Sequence, residues 1–169
     1  MRPRAFLRLL LAVALFACGR SAPPPAPMKP PAPGLARFES FSGERAWADL
    51  EALSAIGSRV SGSRGLRMAR QYIRSELATV GIDGKKVTTR VELEGLEPLR
   101  LTHVEATIPG ASPQLFALVA PFDSSRFEDI AFVGINDGAS GVALLLEFAR
   151  ILSEEPLPYT TRLVFLDGE

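Results

Sequence analysis

The 169-residue chain carries 19 lysines and arginines against 19 aspartates and glutamates, so no large net charge draws it to nucleic acid or to a polyanionic surface. Cys18 is its only cysteine and His103 its only histidine, which excludes an intrachain disulfide and any zinc site built from several Cys or His ligands. Any metal here rests mainly on carboxylates.

Residues 1–17 read as an export signal. Arg2, Arg4 and Arg8 form a positive start, and residues 9–17 are an apolar run too short to span a bilayer as a mature helix. The run closes in Leu15-Phe16-Ala17-Cys18-Gly19, which resembles the lipobox of bacterial lipoproteins, where the cysteine is lipidated and becomes the new N-terminus. The alternative is an ordinary secretory signal with an incidental cysteine. Gly19 lacks the acidic character associated with inner-membrane retention, so the lipoprotein reading implies a lipid anchor in the outer membrane, facing periplasm or exterior. Residues 18–36 form a proline-rich linker, an extended spacer without chemistry of its own. The folded part, residues 37–169, is one domain's worth of sequence without internal repeats.

Within it, Trp47, Leu50 and Leu53 recur at helical spacing, with Gly57 as a stop. Ser61-Gly62-Ser63 offers caps for a second helix whose apolar face is Leu66, Ala69, Ile73, Leu77 and Val80, ending at Gly81. Arg67, Arg70 and Arg74 lie off that face and are expected on a solvated surface. Residues 86–93 alternate, with Val87, Thr89, Val91 and Leu93 on one side, and residues 99–108 alternate again. Residues 115–120 and 163–166 are continuous apolar runs, the sign of strands buried on both faces of a largely parallel sheet. Between them Ala139, Val142, Leu145, Leu146, Ala149 and Leu152 define a helix, which makes a βαβ crossover. The expected fold is α/β, a mixed, mostly parallel sheet flanked by helices.

In such sheets ligands bind beyond the C-terminal strand ends. At those ends stand Asp123, Asp137 and Asp167, the last followed by Gly168 and Glu169. Singly these aspartates read as a turn residue, a helix cap and a turn dipeptide. Jointly they suggest a cation site or acid/base chemistry.

Asp123-Ser124, the segment Phe132-Val133-Gly134-Ile135-Asn136-Asp137-Gly138-Ala139-Ser140-Gly141-Val142, and Phe165-Leu166-Asp167-Gly168-Glu169 resemble the ordered motifs of the zinc aminopeptidase fold shared by secreted aminopeptidases and glutaminyl cyclases. Residues 41–47, 57–63, 106–110 and 127–132 are similar to the glutaminyl cyclases in particular, and the resemblance runs in register from Phe38 to Glu169. It implies a single zinc ion, with Asp137 as a ligand, Glu169 as general acid/base, Asp123 and Asp167 as supports beside the ligands, and peptide or protein N-termini as substrates.

Two departures matter. The family has histidine two residues before the first-motif aspartate, where this chain has Pro121, so Asp123 is expected to have lost the ring it would orient. That histidine is a direct ligand in the two-metal aminopeptidases but not in the single-zinc cyclases, so Pro121 argues more strongly against the peptidase. The resemblance also implies a further acidic ligand and a distal histidine after Glu169. The chain is therefore expected to be a fragment, truncated before the C-terminal part, that binds zinc weakly by itself and leaves residues 163–166 uncovered. His103 is expected as a packed or edge-strand histidine. The leading reading is a glutaminyl-peptide cyclotransferase-like metalloenzyme; the alternatives are a zinc aminopeptidase and a non-catalytic binding lipoprotein that lost the metal site.

Overall fold

The computed structural model describes residues 39–168 apart from Leu93, Leu96 and Glu155. The expected signal, Cys18, the linker and Glu169 lie outside the described residues.

Ser42 starts α1 (Gly43–Ile56) by accepting the Arg45 N–H on its hydroxyl, and Gly57 at φ 82° ends it. The inward face is Ala46, Asp49 and Leu53. Trp47, expected on that face, is 60% exposed, with its indole N–H on Glu51. Positions 46, 49 and 53 form the buried stripe, and residue 47 is turned about 100° from residue 46 round the helix. Ser63 caps α2 (Arg64–Thr79) through the Leu66 N–H, and Leu66, Ala69, Ile73 and Leu77 are buried as their spacing predicts.

The strands are β1 (Lys85–Val91), β2 (Leu99–Ile108), β3 (Gly110–Pro121) and β4 (Leu157–Leu166), in the order β1-β2-β4-β3. The sheet is mixed, but its parallel character is confined to β3–β4; β1–β2 and β2–β4 are antiparallel. Chain connection explains the difference from a mostly parallel sheet. Residues 92–98 return β2 directly beside β1, whereas β3 reaches β4 through α3 (Ser140–Ser153), the crossover a parallel pair needs. Leu53 of α1, the apolar faces of α2 and α3, and Val104, Ala106, Ile108, Leu163 and Phe165 of the sheet form one buried cluster.

Two expectations about burial are corrected. β1 is exposed along most of its length, because it is an edge strand beyond the helices. Residues 115–120 are not buried on both faces: Leu115, Phe116 and Val119 are each more than half exposed, because β3 is the other edge. The segment expected to lie uncovered, residues 163–166, is interior, flanked by β2 and β3, with Leu163 and Phe165 fully buried. The unpaired edge thus falls on β3, an apolar stretch without a charged residue between Gly110 and Pro121, whereas β1 carries Lys85, Lys86 and Arg90. Charged side chains are how edges resist pairing with other chains. Leu115→Lys with Val119→Lys is expected to lower self-association without unfolding the chain, read by light scattering beside circular dichroism.

The helices also bury a charge cluster. Glu147, fully buried, accepts from Arg45, Arg150 and the Ser42 N–H, while Arg150 also reaches Asp49 and Glu76, and Tyr72 donates to Asp49. Burial pushes the Glu147 carboxyl up, but the hydrogen bonds from Arg45 and Ser42 outweigh it and hold the group below the ordinary range. The unfolded chain therefore takes up the proton first as pH falls. The stability from Glu147 is complete above the ordinary glutamate pKa of about 4.3 and is lost as pH falls through the lower folded value. Glu147→Gln is expected to lower stability at neutral pH and to flatten the acid limb, measured by urea unfolding across acid pH.

Candidate functional site

The ends of β3 and β4 are joined beyond their paired residues. Phe122 N–H donates to the Leu166 carbonyl at 2.8 Å, and Gly168 N–H donates to Asp123 Oδ2 at 3.0 Å. Asp123 is therefore buried and engaged by Gly168, although Pro121 offers it no histidine to orient. With both strands ending side by side, their carboxylates are fixed by the ladder itself.

Arg59, in the link between α1 and α2, is fully buried. Its Nε donates to the Phe122 carbonyl at 2.9 Å, Nη1 to the carbonyls of Leu53 and Gly57, and Nη2 to the Gly134 carbonyl at 2.9 Å. Its main chain exchanges hydrogen bonds with Ser124, through the Ser124 hydroxyl and N–H. One guanidinium thus ties the end of α1 to the segments after β3 and before α3. Burial pulls Arg59 below the usual arginine range and the Asp123 charge pulls it back up.

Asp167 is held as firmly. Its carboxylate accepts from the Ser61 hydroxyl, Arg70 Nη2 and the Thr102 N–H, and its own N–H donates to His103 Nδ1 at 3.1 Å. His103 is neither in an edge strand nor simply packed: it lies on interior strand β2 and accepts at the rim, which leaves the ring proton on Nε2. Arg70, expected on a solvated surface, donates to the Thr102 carbonyl and Asp167 and lies 5.5 Å from the centre of the Phe122 ring. Arg74 likewise reaches inward, to the Gly84 carbonyl.

The third segment is a π-type turn, Ile135–Ala139, closed by Ala139 N–H on the Gly134 carbonyl at 3.1 Å. Gly134 is left-handed at φ 64°, and Gly138 has φ 91°. A Cβ on Gly138 would lie 2.5 Å from the Asp123 carbonyl oxygen, so only glycine lets this turn approach the end of β3. Asp137 lies inside the turn, extended at φ −93°, ψ 112°, and exposed; it is not the helix cap.

The structure therefore brings the three strand-end segments together, but not as a cage of carboxylates. Asp123 and Asp167 serve the protein, Asp137 faces solvent, and Pro121 has no donor for a metal. Among the described residues no three His, Cys, Asp or Glu side chains converge as a metal site, so these residues alone do not fit a zinc ion. Arg59 was legible only as one letter of a glycine- and serine-rich link, since arginine is rarely fully buried.

A mixed sheet under helices, with a glycine turn and acidic strand ends at one rim, is an α/β fold shared with solved glutaminyl cyclases and zinc-dependent exopeptidases. Residues 103–169 match the model of peptidase family M28. The chain is 34% identical over 127 residues to the glutaminyl-peptide cyclotransferase-like protein of Bos taurus, covering 66% of this chain and 32% of that one. The glutaminyl cyclase of Porphyromonas gingivalis superposes with TM-score 0.69 at 25% identity, covering 78% of this chain and 47% of that structure. A Zn-dependent exopeptidase of Parabacteroides distasonis shares the fold, with TM-score 0.69 at 23% identity over 76% of this chain and 47% of its own. Over residues 103–169 the chain is similar to peptidase family M28, and it resembles both the glutaminyl cyclases and the zinc exopeptidases. It spans about a third of the length of the curated relative and about half of the solved structures.

Because Asp167 is bonded from three sides and Asp137 is exposed, the two aspartates differ in what they do for the fold. Asp167→Ala is expected to cost about 3 kcal/mol by stranding the Thr102 N–H and the Arg70 charge, and Asp137→Ala less than about 0.5 kcal/mol. Urea unfolding of both variants measures it; equal losses would contradict the assignment.

Proposed function

We propose that the protein acts on peptide N-termini and closes an N-terminal glutamine to pyroglutamate, as a glutaminyl cyclase. The observation that carries this reading is Pro121. By the resemblance it stands where the two-metal aminopeptidases have a direct histidine ligand and the single-zinc cyclases do not, which favours the cyclase over the peptidase. In the reaction the substrate's α-amine nitrogen bonds to the side-chain amide carbon, the bond from that carbon to its amide nitrogen breaks, and ammonia leaves with the proton the amine gives up. A carboxylate moves that proton. The resemblance assigns this role to Glu169.

One zinc ion belongs to the proposal, supported by the zinc-dependent exopeptidase of the same fold. Of the described residues Asp137 alone would hold it. A lipid anchor at Cys18 and an outer-membrane address are proposed from the 9–19 pattern alone. The second reading, a zinc aminopeptidase, is favoured by the peptidase family match.

The test is ammonia release from glutamine-led peptides by protein expressed from its complete gene with zinc present. The expected result is turnover that Asp137→Ala and Glu169→Gln each abolish. Release of free N-terminal amino acids instead would favour the peptidase, and neither activity would favour the non-catalytic reading.

A further inference from the structure

We infer that Arg59 is a positioning residue, which through the Gly134 carbonyl holds the turn carrying Asp137 in its presenting conformation before any ligand arrives. Its bearing on catalysis rests on the proposed role of Asp137.

The turn's own hydrogen bonds, Ser140 hydroxyl to the Asn136 carbonyl at 2.6 Å among them, come from Ala139 and Ser140 at its end. Gly134 and Gly138 are at positive φ, Asp137 is extended beside the non-helical Gly138, and Ile135, Asn136 and Asp137 are exposed. Such a sequence of conformations persists only where the surroundings determine it. The turn is closed by Ala139 N–H on the Gly134 carbonyl and by Ser140 N–H on the Ile135 carbonyl. The Gly134 carbonyl is also the acceptor of Arg59 Nη2, so the atom that closes the turn is the atom the guanidinium grips. A Cβ on Gly138 would lie 3.4 Å from the same Nη2, so the guanidinium packs beneath both ends of the turn.

Three further donors of Arg59 go to Leu53, Gly57 and Phe122, carbonyls at the ends of α1 and β3. The planar fork therefore carries the position of those elements directly to the turn. Lysine keeps the charge but offers donors from one point and cannot span the same carbonyls. A purely structural role would loosen the turn and α3 together when Arg59 is changed. A positioning role loosens the turn well beyond whatever α3 loses.

Native-state hydrogen exchange of the full chain, read amide by amide by NMR, separates the two. Arg59→Lys is expected to lower protection of the Ala139 and Ser140 amides at least about tenfold while Leu145 and Leu146 in α3 change less than about threefold. A uniform fall across turn and helix would overturn the inference, and so would unchanged protection at Ala139. If Arg59→Lys does not fold, the wild type decides: the Arg59 Nη2 proton on the Gly134 carbonyl must be protected from exchange together with the Ala139 amide, and exchange as fast as that of an exposed arginine would overturn the inference. None of these readouts measures turnover, so failure of the cyclase reading and failure of this inference are distinguishable.

Discussion

A guanidinium has five N–H donors and no acceptor, and taking it out of water is tolerated only where acceptors await most of those donors. At Arg59 the acceptors are main-chain carbonyls from three separate segments, supplemented by a main-chain exchange with Ser124. Helices end with carbonyls that lack partners, and strands leave theirs behind where pairing stops. Arg59 gathers those loose ends at the point where α1 stops, β3 stops and α3 has yet to begin. The rim of the sheet takes its form from that requirement.

The carboxylates of the rim follow the same logic. Asp123 receives Gly168 and lies in the field of Arg59, and Asp167 receives Arg70, Ser61 and Thr102. Buried charges are paired in this way because an unpaired one would cost several kcal/mol. Glu147, Asp49 and Arg150 repeat the arrangement where the helices pack together. With two of three rim aspartates committed to the fold, Asp137 is the exposed one, mounted on a turn whose glycines permit its close approach to β3. A scaffold that fixes its own strand ends can present a reactive group without asking that group to stabilise anything.

Much of this was legible in the sequence. The Leu66, Ala69, Ile73, Leu77 face, the crossover from residues 115–120 through α3 to 163–166, and the gathering of Asp123, Asp137 and Asp167 at strand ends follow from periodicity and topology. What a sequence reading could not supply was the count of neighbours. An apolar run such as residues 115–120 records hydrophobicity, not whether another strand or layer covers it, so β3 reads as interior while standing at the edge. Trp47 shares helical spacing with Leu50 and Leu53, but Ala46 and Asp49 hold the inward positions. Arg59 and Arg70 were hidden because charged residues are expected in solvent, and only the fold reveals which carbonyls and carboxylates lie within reach. His103 became informative for the same reason, once β2 set it beside the Asp167 N–H.

The most direct measurement of this account is the unfolding free energy of Arg59→Met by urea titration. Methionine preserves bulk but leaves the carbonyls of Leu53, Gly57, Phe122 and Gly134 without the guanidinium and Asp123 without its neighbouring charge. The account requires a loss of about 3 kcal/mol or more. A loss below about 1 kcal/mol, within the range of an ordinary substitution, would show that the rim holds without Arg59 and would contradict it.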